Sequence, residues 1–169
     1  VFFSVIAFVD LQRDQKIKDS PLPSQGYLDL SEWSFDTEGS VHLEGEWAFY
    51  FGTFLQPQGA EATYDAQPTY IKIPSTPKIM NEVKPFESNM FHGTLRLVVK
   101  LPEDRSVYGL KTDIVLSAYE LYIDGVPVGR VGDIGEDKSS SAPYYKVLRN
   151  YFTPESNLIE IIVHTSDYH

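Results

Sequence analysis

His92-Gly93-Thr94-Leu95-Arg96-Leu97-Val98-Val99-Lys100-Leu101 decides the fold class. Leu95, Leu97, Val99 and Leu101 fall on one side of an extended chain, and Thr94, Arg96, Val98 and Lys100 fall on the other. That is the two-residue period of a strand with one face in a core, and the polar face is expected to be wet or turned toward a ligand. Tyr119-Glu120-Leu121-Tyr122-Ile123 repeats the alternation and runs into Asp124-Gly125, after which Val126-Pro127-Val128 begins a return strand. Asp-Gly between such runs predicts a tight two-residue hairpin turn.

Outward from these two segments the same grammar continues. Short alternating runs are cut by Gly, Pro, Asn and Asp, and nothing from Gly26 to His169 holds a helical period over several turns. Strands are predicted at Val41–Leu43, Glu46–Phe51, Thr69–Ile73, Tyr108–Lys111, Asp113–Ser117 and Leu158–His164, with a helical turn over Asp29–Trp33 capped by Asp29 or Ser31. Long polar loops are expected at Gln56–Gln67, Pro74–Asn89 and Gly132–Tyr144. The expected architecture is all-β: two packed antiparallel sheets forming a sandwich or jelly roll.

The chain has 169 residues, the size of one domain. The domain is expected over 26–169, preceded by an N-terminal segment and linker over 1–25. Fourteen Lys and Arg stand against 24 Asp and Glu, and the resulting charge of −10 repels phosphate backbones, so nucleic acid is not an expected partner. Cysteine is absent, which removes disulfide scaffolds and thiolate chemistry. The first residue is Val1, so an upstream segment is expected. Val1–Val9 reads either as the end of a longer signal anchor or as a buried strand. A final strand beyond His169 is also expected.

Chemical motifs are sparse. His42, His92, His164 and His169 lack the spacing of a zinc site. No Gly-x-Ser-x-Gly elbow is present. The glycines of Gly125–Gly132 fall in a hairpin rather than before a helix N-terminus, where they could cradle a phosphate. No catalytic role is assigned, and a glycoside hydrolase would need a carboxylate separation that only a structure gives. Asp133, Glu136 and Asp137 share one loop and could supply a calcium site, or simply form a solvated acidic loop.

Sugar recognition calls for aromatic platforms and planar polar groups that fork onto hydroxyls. Phe91, His92 and Arg96 at the start of the long strand, and Tyr144, Tyr145 and Arg149 in a late aromatic segment, are the candidate ligand-binding residues. Each set has a plainer reading too: a salt bridge on the outer sheet face for Arg96, and partial burial under a loop for the tyrosines.

Gly26-Tyr27-Leu28-Asp29-Leu30-Ser31, Trp33, Val41-His42-Leu43-Glu44-Gly45-Glu46-Trp47-Ala48-Phe49-Tyr50, Ile73-Pro74, Gly93-Thr94-Leu95-Arg96-Leu97 and Ala118–Gly125 followed by Gly129 and Gly132 together resemble a known bacterial sensor domain. It is the extracellular jelly roll of seven-transmembrane receptors with diverse intracellular signalling modules. More distantly the chain is similar to the galactose-binding-like jelly roll at the front of family-two glycoside hydrolases. The resemblance implies an extracytoplasmic sensor, membrane-attached through the rest of a receptor, that binds a carbohydrate or other small molecule and passes a signal by changed packing or dimerisation. The alternatives are a protein-interaction or dimerisation module, or the accessory sugar-binding domain of a hydrolase. Trp47 and Phe49 alternate toward one face and read as core, so the motif residues mark the fold rather than the site.

Overall fold

In the computed structural model, which describes residues 5–8, 20–74, 91–104, 106–113 and 117–168, the alternating strand sits at the centre. Strand β5 (Phe91–Lys100) pairs along its whole length with β10 (Leu158–Asp167), antiparallel, from Leu158 opposite Lys100 to Asp167 opposite Phe91. The remaining elements are β1 (Val5–Phe8), β2 (Tyr27–Asp29), α1 (Phe35–Glu38), β3 (Gly45–Phe51), β4 (Thr69–Ile73), β6 (Tyr108–Thr112), β7 (Ala118–Ile123), β8 (Val126–Val131) and β9 (Leu148–Phe152). The larger sheet runs β4-β3-β5-β10-β7-β8, and the smaller runs β1-β6-β9. The other edge of β5 is shared, since β3 pairs with residues 93–96 while β2, the one parallel neighbour, pairs with residues 98–100.

Odd-numbered residues of β3, β5, β7 and β10 point between the sheets. Trp47, Phe49, Leu95, Leu97, Val99, Tyr119, Leu121, Ile159, Ile161 and Val163 meet Tyr108 and Leu110 of β6 and Leu148 of β9 in one buried cluster. The chain is therefore an all-β sandwich, as the alternation predicts. Asp124 and Gly125 both take positive φ (47° and 81°), the geometry of the tight hairpin turn expected there.

The structure corrects several local expectations. Val41 and Leu43 are fully buried but form no strand. The expected turn over Asp29–Trp33 is a single hydrogen-bonded turn, Trp33 N–H to the Leu30 carbonyl at 3.0 Å, capped by Asp29, which accepts bonds from the Ser31 backbone N–H and hydroxyl, while the α-helical turn comes later, at Phe35–Glu38. Tyr27–Asp29 and Leu148–Phe152 are strands that the alternation did not reveal. Of the Asp113–Ser117 strand, residues 114–116 lie outside the described residues, as does most of the Pro74–Asn89 loop. Val5–Phe8 is a strand paired with β6, and the rest of the Val1–Val9 run lies outside the described residues. Among the described residues no helix is long and apolar enough to cross a membrane.

The largest correction concerns the polar face of β5. Thr94 is fully buried, Val98 nearly so, and the Arg96 side chain is 16% exposed. The face is covered by the β3–β4 connection, residues 52–68, which crosses it as a strap.

Candidate functional site

Three connections meet at one end of the sandwich: residues 58–61 of the strap, the β7–β8 turn, and the β9–β10 loop. They enclose an open cleft of about 630 Å³. Its apolar lining comes from Ile123, Val126, Val128, Phe152 and Leu158, and its charged lining is Glu61, Asp124 and Glu155. No Lys, Arg or His is among its described lining residues.

Asp124 is the best-fixed group. Its turn conformation points its carboxylate back along the sheet, where Oδ1 accepts the Glu160 backbone N–H at 2.7 Å, while its own N–H donates to the Glu160 carbonyl at 2.9 Å. Burial raises its pKa, and the nearby Glu160 and Glu155 carboxylates push the same way, against the bond from the Glu160 backbone.

Behind the cleft lies a buried charge pair. Arg96 Nε donates to Glu160 Oε1 at 2.6 Å, and the Glu160 side chain is 1% exposed. Glu160 Oε2 also accepts the Gly59 N–H at 2.9 Å, and Oε1 accepts the Tyr64 hydroxyl at 3.2 Å. The Tyr64 ring lies 5.2 Å from the Arg96 guanidinium. Burial together with the Glu160 charge and hydrogen bond raises the Tyr64 pKa to about 12, so its phenol remains a donor at neutral pH.

None of the six sequence-derived candidates lines this cleft. Phe91 turns inward and meets Phe49 edge to face at 6.0 Å. His92, one residue on, turns outward, where Nδ1 lies 2.7 Å from the Tyr168 oxygen. Tyr168 spends its own proton on the Glu136 carbonyl, so Nδ1 of His92 is the donor. Arg96 is committed to Glu160 and to strap carbonyls. Tyr144 and Tyr145 are exposed between β8 and β9, and Arg149 is exposed on β9 opposite Lys111.

The three acidic residues considered for calcium do not converge on one point. Asp133 pairs with Arg130 at 2.5 Å, and the Asp137 carboxylate accepts bonds from the backbones and hydroxyls of Ser139 and Ser140, which lower its pKa to about 2. No group of three or more metal-ligating side chains occurs among the described residues.

His164 also faces the strap, with Nε2 2.8 Å from the Leu55 carbonyl and Phe54 and Tyr122 rings packed beside it. Burial lowers its pKa, outweighing the Leu55 bond and the Glu120 charge. Because the unfolded chain takes up this proton more readily, the stabilisation from neutral His164 is complete above about pH 6.5 and is lost as pH falls through the lower folded value. The melting temperature is expected to drop between pH 7.5 and pH 5.5, and His164→Gln is expected to flatten that drop. An unchanged slope in the variant assigns the titration elsewhere.

No protein-family model matches this chain, and no curated protein and no solved structure matches it significantly. A functional reading therefore has to come from the site rather than from the fold.

Proposed function

We propose that the domain is an extracytoplasmic ligand-sensing module of a bacterial membrane receptor and that it holds a small neutral or cationic molecule, a carbohydrate in the first instance, in the cleft between the strap and the β7–β8 turn. The observation that carries this reading is the lining: five apolar side chains, one of them the aromatic Phe152, beside three carboxylates and no cation among the described lining residues. Carboxylates accept from sugar hydroxyls or amines and repel anions, while the apolar side chains cover the hydrophobic face of a pyranose. A concave site of this volume falls in the range that small ligands occupy. The resemblance to the jelly-roll sensors supports the location and the membrane attachment.

The test is a glycan array with neutral, amino and uronic sugars, followed by melting-temperature shifts. Neutral or amino sugars are expected to bind and uronates are not. Asp124→Ala is expected to weaken the best binder by about tenfold or more, equivalent to about 1.4 kcal/mol. Preferential binding of uronates would overturn the charge argument, and turnover of a glycoside would overturn the binding-only role.

A second reading rests on a different surface. Tyr151 is exposed on the outward row of β9 that also carries Arg149, with Tyr144, Tyr145 and Val147 exposed just before the strand. Exposed aromatics of this kind favour docking of a partner chain or a second copy. Sedimentation of the wild-type chain and of Tyr145→Ser/Tyr151→Ser separates the two roles, because self-association would fall in the variant while cleft binding would not.

A further inference from the structure

The strap is fastened differently from the rest of the molecule. Leu55 is its one buried residue, and it joins Ala48 and Tyr50 in a small cluster separate from the inter-sheet core, with Tyr64 and Ala66 packed against it. No strap residue belongs to the main core cluster. Beyond these, the Phe54 ring packs against His92 and His164, and the remaining fastenings are hydrogen bonds, nearly all of which grip the strap's backbone. Thr94 Oγ1 donates to the Thr53 carbonyl at 2.8 Å and accepts the Leu55 N–H at 3.0 Å. Arg96 Nη2 donates to the carbonyls of Ala60 and Ala62, each at 3.1 Å. His164 holds the Leu55 carbonyl, and Glu160 holds the Gly59 N–H.

We infer that the strap is a lid, able to lift from the outer face of β5 and β10 as a unit while the sandwich stays folded, with the Arg96–Glu160 pair as its latch. The face beneath it carries Thr94, Arg96, Glu160 and His164, groups that water satisfies when the lid is up, and the apolar area of Ile162, Ala48 and Tyr50 beside them sets the cost of lifting it. Gly52, at the start of the strap, has φ 63° and open space around its α-carbon, which supplies a hinge.

The lid also reaches the cleft. Gln58, Gly59, Ala60 and Glu61 form one of its walls, and the residue that latches the strap by its side chain holds Asp124 by its backbone. A ligand touching residues 58–61 favours the closed lid by whatever free energy that contact supplies. This coupling, though not the lid itself, rests on the cleft being the ligand site.

Native-state hydrogen exchange on the unliganded chain, measured across low urea concentrations, tests the lid. The Leu55 and Gly59 amides are expected to exchange about 100-fold faster than the paired amides of β5 and β10, with rates insensitive to urea. Glu160→Gln is expected to speed the strap amides about tenfold further and leave the β5 and β10 amides unchanged. Strap and sheet amides that exchange together with one urea dependence would overturn the lid. If Glu160→Gln does not fold, Tyr64→Phe removes a single latch bond. It must then accelerate the strap alone, and acceleration shared with the sheet overturns the inference. A neutral sugar identified on the array should slow strap exchange. If it raises the melting temperature without slowing the strap, the coupling fails and the cleft reading stands. If no sugar binds, the cleft reading fails and the lid is judged on the unliganded exchange alone.

Discussion

Replacing Trp47 with Ala is expected to cost about 3–5 kcal/mol of stability, the range for emptying an aromatic site in a close-packed core. Trp47 is 0% exposed and lies among Phe49, Leu95 and Leu97 where the two sheets meet. Its indole N–H also donates to the Leu43 carbonyl at 2.8 Å, tying down the buried Val41–Leu43 segment, which lies outside the strands. A domain of this size has roughly 5–15 kcal/mol in total, so a large share of the margin is lost. The melting temperature should fall by roughly 6–20 °C. Trp47→Phe separates the two contributions: most of the volume is kept while the Leu43 carbonyl loses its partner, at a cost of about 1–3 kcal/mol. Urea denaturation followed by circular dichroism measures both. A loss for Trp47→Ala below about 1.5 kcal/mol would mean the two sheets do not close over this residue.

The same residue shows what alternation can and cannot reveal. Trp47 and Phe49 sit two apart in a run that alternates, and the structure buries both, as their spacing predicts. Arg96 and Thr94 sit in an equally clear alternation, yet their face is dry. Periodicity divides a strand into two sides but does not say what lies against either. Here the cover is residues 52–68, a segment without period that reads as a surface loop because its fastenings are backbone groups gripped by side chains of distant strands.

β9 was hidden for a related reason. Only Leu148 of its five residues is buried, and the exposed Arg149 and Tyr151 give it the look of a binding loop. The cleft itself joins residues 58–61, 123–128 and 152–158, segments brought to one end of the sandwich by the pairing of β10 with β5 and β7. Local pattern carries no record of that pairing. One signal was available: Glu160 is a single acid inside Leu158–Val163, otherwise aliphatic, and Arg96 is the single charge inside Leu95–Val99, otherwise aliphatic. Two lone opposite charges in apolar strands point to a buried pair.

That pair yields the second large effect. Glu160→Leu strips acceptors from Arg96, the Gly59 N–H and the Tyr64 hydroxyl. At about 0.5–1.5 kcal/mol each, three lost bonds set a floor near 1.5 kcal/mol. A survivor trapped without its partner sets a ceiling of about 3–5 kcal/mol. A lid that lifts lets the Arg96 guanidinium reach water, which draws the Glu160→Leu result toward the floor. Arg96→Met should lie nearer the ceiling, because Glu160 is the more deeply buried partner.

The double variant Arg96→Met/Glu160→Leu removes both charges and leaves apolar groups beside Ile162, Val98 and Ala48, which neighbour these positions across the strands. It should be more stable than the worse single variant, with a coupling of at least about 1 kcal/mol in the cycle. Strictly additive single losses would show that the two groups do not act as a pair. Neither result should depend much on salt, since screening acts weakly on a pair this buried. Met and Leu offer nothing to the Ala60 and Ala62 carbonyls or to the Gly59 N–H. The double variant should therefore regain stability while its strap still exchanges fast, and a strap that is protected again along with stability would show that apolar packing, not the charge pair, holds it down.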